Sequence, residues 1–149
     1  MNILIVNENY TRGGLETNLY TQYEAMKNKN NFYFAMGRYK SNLTFDDSKI
    51  YEGFHFTPTV TINEFCEDVN RLVEIIKKEK IDVVHAHPFY SVFQAVFAAK
   101  LTNTPIAYTL HGVASFNFPY KVNDIILYQA MLESEIDKIF GVSNLCVSA

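Results

Sequence analysis

Asn2-Ile3-Leu4-Ile5-Val6-Asn7, then Glu8-Asn9-Tyr10-Thr11-Arg12-Gly13-Gly14, then Leu15, Leu19, Tyr23 and Met26 at helical spacing: this opening stretch sets the fold. Its first six residues form a continuous run with an apolar, partly β-branched centre, the composition of a parallel strand covered on both faces. The polar loop that follows ends in a glycine pair, and the spacing after it predicts an amphipathic helix. Strand, glycine loop and helix in that order open an α/β domain.

The same alternation continues along the chain. After Asn28-Lys29-Asn30-Asn31, the aromatic run Phe32 to Met36 predicts a second strand. Arg38 to Ser48 is a polar excursion, and Ile50 to Thr59 holds at most short strands because Gly53 and Pro58 interrupt it. Thr61-x-x-Glu64 is a capping box, with Val60 and Phe65 spaced as a hydrophobic staple, and Ile62, Phe65, Val69, Leu72, Val73 and Ile76 keep one apolar face. That helix runs to Lys77, Lys78 and Lys80, cations suited to the negative end of a helix dipole. Ile81 to Ala86 is the next strand, and Pro88 is expected at the first position of a helix that is apolar almost all round. A strand ending Tyr108-Thr109-Leu110, a loop with His111-Gly112, a helix over Val122 to Ser134 and a last strand over Asp137 to Val142 complete the pattern. Strands alternating with crossover helices imply a doubly wound, mainly parallel sheet with helices on both faces.

Composition narrows the function. The 149 residues fit one domain, and 48% hydrophobic against 19% charged residues, with 12 Phe and 10 Tyr, is a globular balance that offsets chain entropy. A net charge of -3 argues against a general nucleic-acid binder. Cys66 and Cys146 lie far apart without a C-x-x-C, which is neither a disulfide framework nor a zinc pattern and suits a reducing cytoplasm. Ile3 to Val6 lacks the basic flank of a signal peptide, and the most apolar stretch, Phe89 to Leu101, is too short to span a bilayer. The expectation is a soluble cytoplasmic protein, with contact at the inner face of a membrane left open.

In an open parallel sheet a ligand binds beyond the carboxyl ends of the strands, at the switch in strand order. Four loops belong there: Asn9 to Gly14, His85-Ala86-His87-Pro88, His111-Gly112 and Ser143-Asn144. Gly13-Gly14 at a helix start lets backbone amides approach an anion such as a diphosphate, with Arg12 adding charge, although a glycine pair there also serves as a plain tight turn. Glu16 in the first helical turn complements the dipole or meets a ligand. His85 and His87 point to one side, a geometry compatible with a metal, but no third ligand follows by spacing. A structural role suits His85 and a functional one His87. His111 stands directly after a strand and before a permissive glycine, which makes it the best single candidate, against a loop-buttressing reading. The aromatic stretch Val113 to Tyr120 fits an acceptor-binding loop or the edge of the core. The Gly-x-Gly-x-x-Gly fingerprint, the Walker lysine loop and the Gly-x-Ser-x-Gly elbow are all absent from the sequence.

Asn2 to Asn7 with Gly13-Gly14-Leu15-Glu16, Asp82-Val83-Val84-His85-Ala86-His87, Tyr108-Thr109-Leu110-His111-Gly112 and Asp137-Lys138-Ile139-Phe140-Gly141-Val142-Ser143 together resemble the N-terminal, Rossmann-like domain of the retaining glycosyltransferase family 4 of GT-B fold. The resemblance implies a donor side formed by Gly13, Gly14 and Glu16 and a catalytic position for His111 beside the transferring sugar. It puts Asn9, Arg12, His87, Tyr90, Gly112 and Ser143 on the acceptor side. It implies transfer from a nucleotide-diphosphate sugar to a glycan or lipid-linked acceptor, without metal or other cofactor, the leaving phosphate helping to deprotonate the acceptor.

In that family a C-terminal domain holds the nucleotide, the diphosphate-gripping basic residues and a pair of glutamates, and none of it is in this sequence. The chain is accordingly expected to be a single acceptor-side domain over residues 1–149, negligibly active alone, with apolar surface left uncovered at its end and a tendency to self-associate. The alternatives are a noncatalytic or partner-completed sugar- or nucleotide-binding module, and a nucleotide-sugar 2-epimerase of the same two-domain architecture.

Overall fold

A computed structural model describes residues 1–10, 14–39, 45, 49–111 and 121–141, with side chains for all of these but 9, 10, 14–16, 38 and 39. The elements follow in the order β1 (Asn2–Tyr10), α1 (Gly14–Met26), β2 (Asn31–Tyr39), β3 (Ile50–Tyr51), α2 (Ile62–Lys78), β4 (Val83–Ala86), α3 (Ser91–Leu101), β5 (Ile106–Leu110), α4 (Val122–Ser134) and β6 (Lys138–Gly141). The six strands form one sheet in the order β3-β2-β1-β4-β5-β6, and every pairing is parallel. The order reverses between β1 and β4, where the two halves of a doubly wound sheet part company.

The period-two geometry of the strands sorts the core into two layers. Leu4, Val6, Ala35, Val84, Ala86, Ile106 and Tyr108 face α2, α3 and α4. Ile3, Ile5, Phe32, Phe34 and Met36 face the other way, against Leu19 and Tyr23 of α1. Helices therefore cover both faces. α3 meets β1, β4 and β5 as well as α2 and α4, which is why nearly every side chain in it is apolar or buried.

The acidic residues that open two of the family-like motifs are strand clamps. Asp82 accepts from the Asn2 backbone amide at 2.7 Å, and Asp137 accepts from that of Ile106 at 2.9 Å. Each holds the first residue of the neighbouring strand in register. The capping box is formed: the Thr61 hydroxyl accepts from the Glu64 amide at 3.2 Å and the Glu64 carboxylate from the Thr61 amide at 3.0 Å.

Several boundaries differ from the sequence reading, and β4 begins at Val83 where the pattern predicts Ile81. β1 continues through Tyr10 and β2 through Tyr39, their polar ends still pairing as Asn9↔Arg38 and Tyr10↔Tyr39. Side-chain polarity marks where the buried face ends, whereas the backbone ladder runs on. α3 begins at Ser91, three residues after Pro88, and the amides of Phe89 and Tyr90 before it are taken by a carboxylate from β1. On β6, Ile139 and Phe140 are 41% and 46% exposed, so apolar surface is open at that edge.

Candidate functional site

The parallel strands all deliver their carboxyl ends to one rim, and three histidines gather there. In register, Ile5 of β1 pairs with His85 of β4, and His85 pairs with Ala107 of β5. His87 lies two residues beyond His85 and His111 four beyond Ala107, so all three continue the sheet face that α1 covers. The His85 and His87 rings lie tilted against each other with centroids 4.6 Å apart, and those of His87 and His111 are 5.2 Å apart. His87 Nδ1 lies 3.0 Å from His111 Nε2, and His85 Nε2 lies 2.7 Å from the Thr109 hydroxyl.

Burial sets their charge. His87 is fully buried and His111 is partly exposed at the rim. Desolvation brings the His85 imidazole down to about 4, with the His111 ring adding to the shift. It holds His87 well below the ordinary histidine range, with His85 and His111 contributing, and it lowers His111 as well. All three are neutral at pH 7. Among the described residues no group of three His, Cys, Asp or Glu is placed to hold a metal ion.

Glu8 is the site residue that sequence reasoning missed. Its carboxylate Oε2 accepts from the amides of Phe89 at 3.0 Å and Tyr90 at 3.3 Å, tying the end of β1 to the loop that carries His87. Burial pushes this carboxyl up, against the downward pull of the two amides. Neighbouring Asn7, also buried, accepts from the Glu8 amide at 3.0 Å. The His87 loop is fixed further by its own ends: the His87 amide donates to Val6 O at 3.0 Å, and the Ser91 hydroxyl donates to His87 O at 2.6 Å.

The remaining candidates fall in three groups. Asn9 sits on β1, while Gly14 opens α1 and Glu16 lies in its first turn. Tyr90 is buried, packs against Phe89 and Phe93 and donates its hydroxyl to Asp124 of α4 at 3.2 Å, so it faces the α2–α4 layer and not the histidines. Arg12, Gly13, Gly112, Ser143 and the aromatic stretch Val113 to Tyr120 lie outside the described residues. β1 and β6, which precede Gly13 and Ser143, end at the same rim as β4 and β5. A cavity of about 600 Å³ adjoins His85 and Thr109 on the α1 side, bounded also by Asn18, Gln22 and Phe140.

The family model for Glycosyltransferase Family 4 matches residues 12–146. The chain belongs to that family. As a family 4 domain it has the Rossmann-like N-terminal architecture of the GT-B fold, which solved structures share. The UDP-GlcNAc 2-epimerase from Methanocaldococcus jannaschii superposes with a TM-score of 0.68 at 14% identity, covering 99% of this chain and 41% of that one. A glycosyltransferase from Rickettsia africae ESF-5 gives 0.65 at 19% identity over 99% and 38% of the two chains. MnaA from S. aureus, solved with UDP, gives 0.64 at 18% identity over 99% and 40%. The family 4 domain thus spans about two fifths of the length of these proteins. By sequence alone, no curated protein matches it.

Proposed function

We propose that this domain is the acceptor-side half of a retaining glycosyltransferase, which moves a sugar from a nucleotide-diphosphate donor to a glycan or lipid-linked acceptor. Turnover requires a C-terminal nucleotide-binding domain to close the cleft. The observation that carries the reading is the family match across residues 12–146 on a sheet whose rim presents a neutral, partly exposed His111 after β5, one strand from the switch between β1 and β4.

The chemistry follows from what the rim offers. A neutral imidazole at His111 makes a directional hydrogen bond to a sugar oxygen without adding a charge that would compete for the diphosphate. The amino terminus of α1, opened by Gly14, directs its dipole at the rim and favours the donor's phosphates. Neither group is a nucleophile. Stabilisation of charge developing on the leaving diphosphate is the work assigned to this wall, with no metal or cofactor required.

The test is product analysis. A polypeptide carrying this domain with its nucleotide-binding domain is incubated with UDP-sugars, with and without glycan and lipid-linked acceptors. Acceptor-dependent glycoside of retained configuration is the expected product. The 2-epimer of the donor sugar would assign the domain to an epimerase of the same architecture, and binding without turnover would assign it to a noncatalytic module.

A further inference from the structure

The geometry points to His87 as a positioning residue that sets the tautomer of His111: His87 Nδ1–H donates to His111 Nε2, and His111 presents Nδ1–H to the ligand. The tautomer assignment stands on the geometry of the two rings, and its use in sugar recognition rests on the function proposed above.

A separation of 3.0 Å between His87 Nδ1 and His111 Nε2 is a hydrogen bond, and it holds one proton. Two neutral arrangements satisfy it. If His111 Nε2–H donates, His87 must carry its own proton on Nε2, and that atom is buried with no partner among the described residues. An orphaned buried N–H bears the full cost of desolvation. If His87 Nδ1–H donates, the buried Nε2 is a bare lone pair, and interiors tolerate an unpaired acceptor more readily than an unpaired donor. The second arrangement wins. A doubly protonated ring is excluded by burial, which lowers both imidazoles.

The His87 ring cannot turn to escape this choice. Its backbone is held at both ends by Val6 O and the Ser91 hydroxyl. One side of the ring is occupied by His85, itself bonded to Thr109, and the loop is latched by Glu8. The rigidity of His87 passes to His111, the one ring of the pair that is partly exposed. With its Nε2 accepting from His87, the neutral His111 ring carries its proton on Nδ1, so the ring offers a hydrogen-bond donor. It matches an oxygen acceptor, such as a sugar hydroxyl or a phosphate oxygen, and it does not act as a base.

The test is long-range 1H–15N correlation on protein labelled with 15N-histidine, at pH 7.5 and without ligand. The expected result is Nδ1–H for both His87 and His111. Nε2–H at His111 would overturn the proposal. Two variants extend the test: His87→Asn supplies an amide N–H close to where Nδ1 sits and should keep His111 as Nδ1–H, whereas His87→Leu should release it to the Nε2–H form. An unchanged His111 in His87→Leu would remove the positioning role, and if that variant fails to fold, the wild-type spectrum still decides the tautomer. In the two-domain polypeptide, His87→Leu should lower kcat about tenfold or more with a smaller change in KM, and His87→Asn should lower it less. Since the spectrum is read without substrate, a wrong tautomer leaves the glycosyltransferase reading intact. Correct tautomers without sugar transfer would count against that reading alone.

Discussion

The three rim histidines make a stability prediction at the level of single side chains. His85, brought down to about 4 by burial, is neutral in the folded chain at a pH where the unfolded chain still binds a proton. A depressed imidazole contributes stability that is fully present above the unfolded value, 6.5, and is lost as pH falls through the folded one. For His85 alone that is about 3 kcal/mol across the window from 6.5 to 4. His87 and His111 act in the same direction. Glu8, whose carboxyl is raised by burial, works against them, since acidification relieves a buried charge. Urea denaturation at pH 7.5 and pH 5 should therefore show a clear fall in stability at the lower pH, and equal stability at the two would mean that the histidines are hydrated. These residues differ in how far sequence exposes them. His111 could be singled out because a strand end and a glycine flank it. The pairing of His87 with His111 could not, because the two lie 24 positions apart, and Glu8 meets its amides across 81 and 82 positions.

Among the elements, the closest constraint is where β1 and β2 approach at their carboxyl ends. A Cβ at Gly37 would stand 2.3 Å from the Glu8 carbonyl oxygen, so the two strands can lie this near only with glycine there. Gly37→Ala must part them at the position where Glu8 reaches for the His87 loop. Its expected cost is about 1–3 kcal/mol, the range for overpacking a close-packed site, measured as a lower denaturation midpoint at unchanged m-value. A loss under about 0.5 kcal/mol, the size of a neutral surface change, would show that the strands yield freely. The elements themselves were largely legible. Helix spacing and a capping box located α2, and buried apolar runs located β1 and β4, because burial on both faces leaves a continuous trace in sequence. Strand ends and the start of α3 were not legible, since ladder hydrogen bonds and the Glu8 latch depend on backbone groups that every residue carries. The Asp82 and Asp137 clamps explain in physical terms why an acidic residue opens two of the motifs.

At the scale of the whole molecule, a doubly wound sheet with one described helix on one face and three on the other delivers the carboxyl ends of its parallel strands to one rim. β1, β4, β5 and β6 all end there, and the neutral His111 stands on it, backed by a buried partner. No helix among the described residues is long and apolar enough to cross a membrane. The parallel topology was readable from alternation alone, while the gathering of the histidines needed the register. The decisive measurement is steady-state sugar transfer by the two-domain polypeptide with His111→Ala, alongside thermal unfolding of the same protein. The expected result is a kcat lowered at least about 100-fold, the scale of losing a group that acts on the reacting centre, with a melting temperature close to wild type. Wild-type turnover in a folded His111→Ala protein would contradict the placement of this rim beside the transferring sugar.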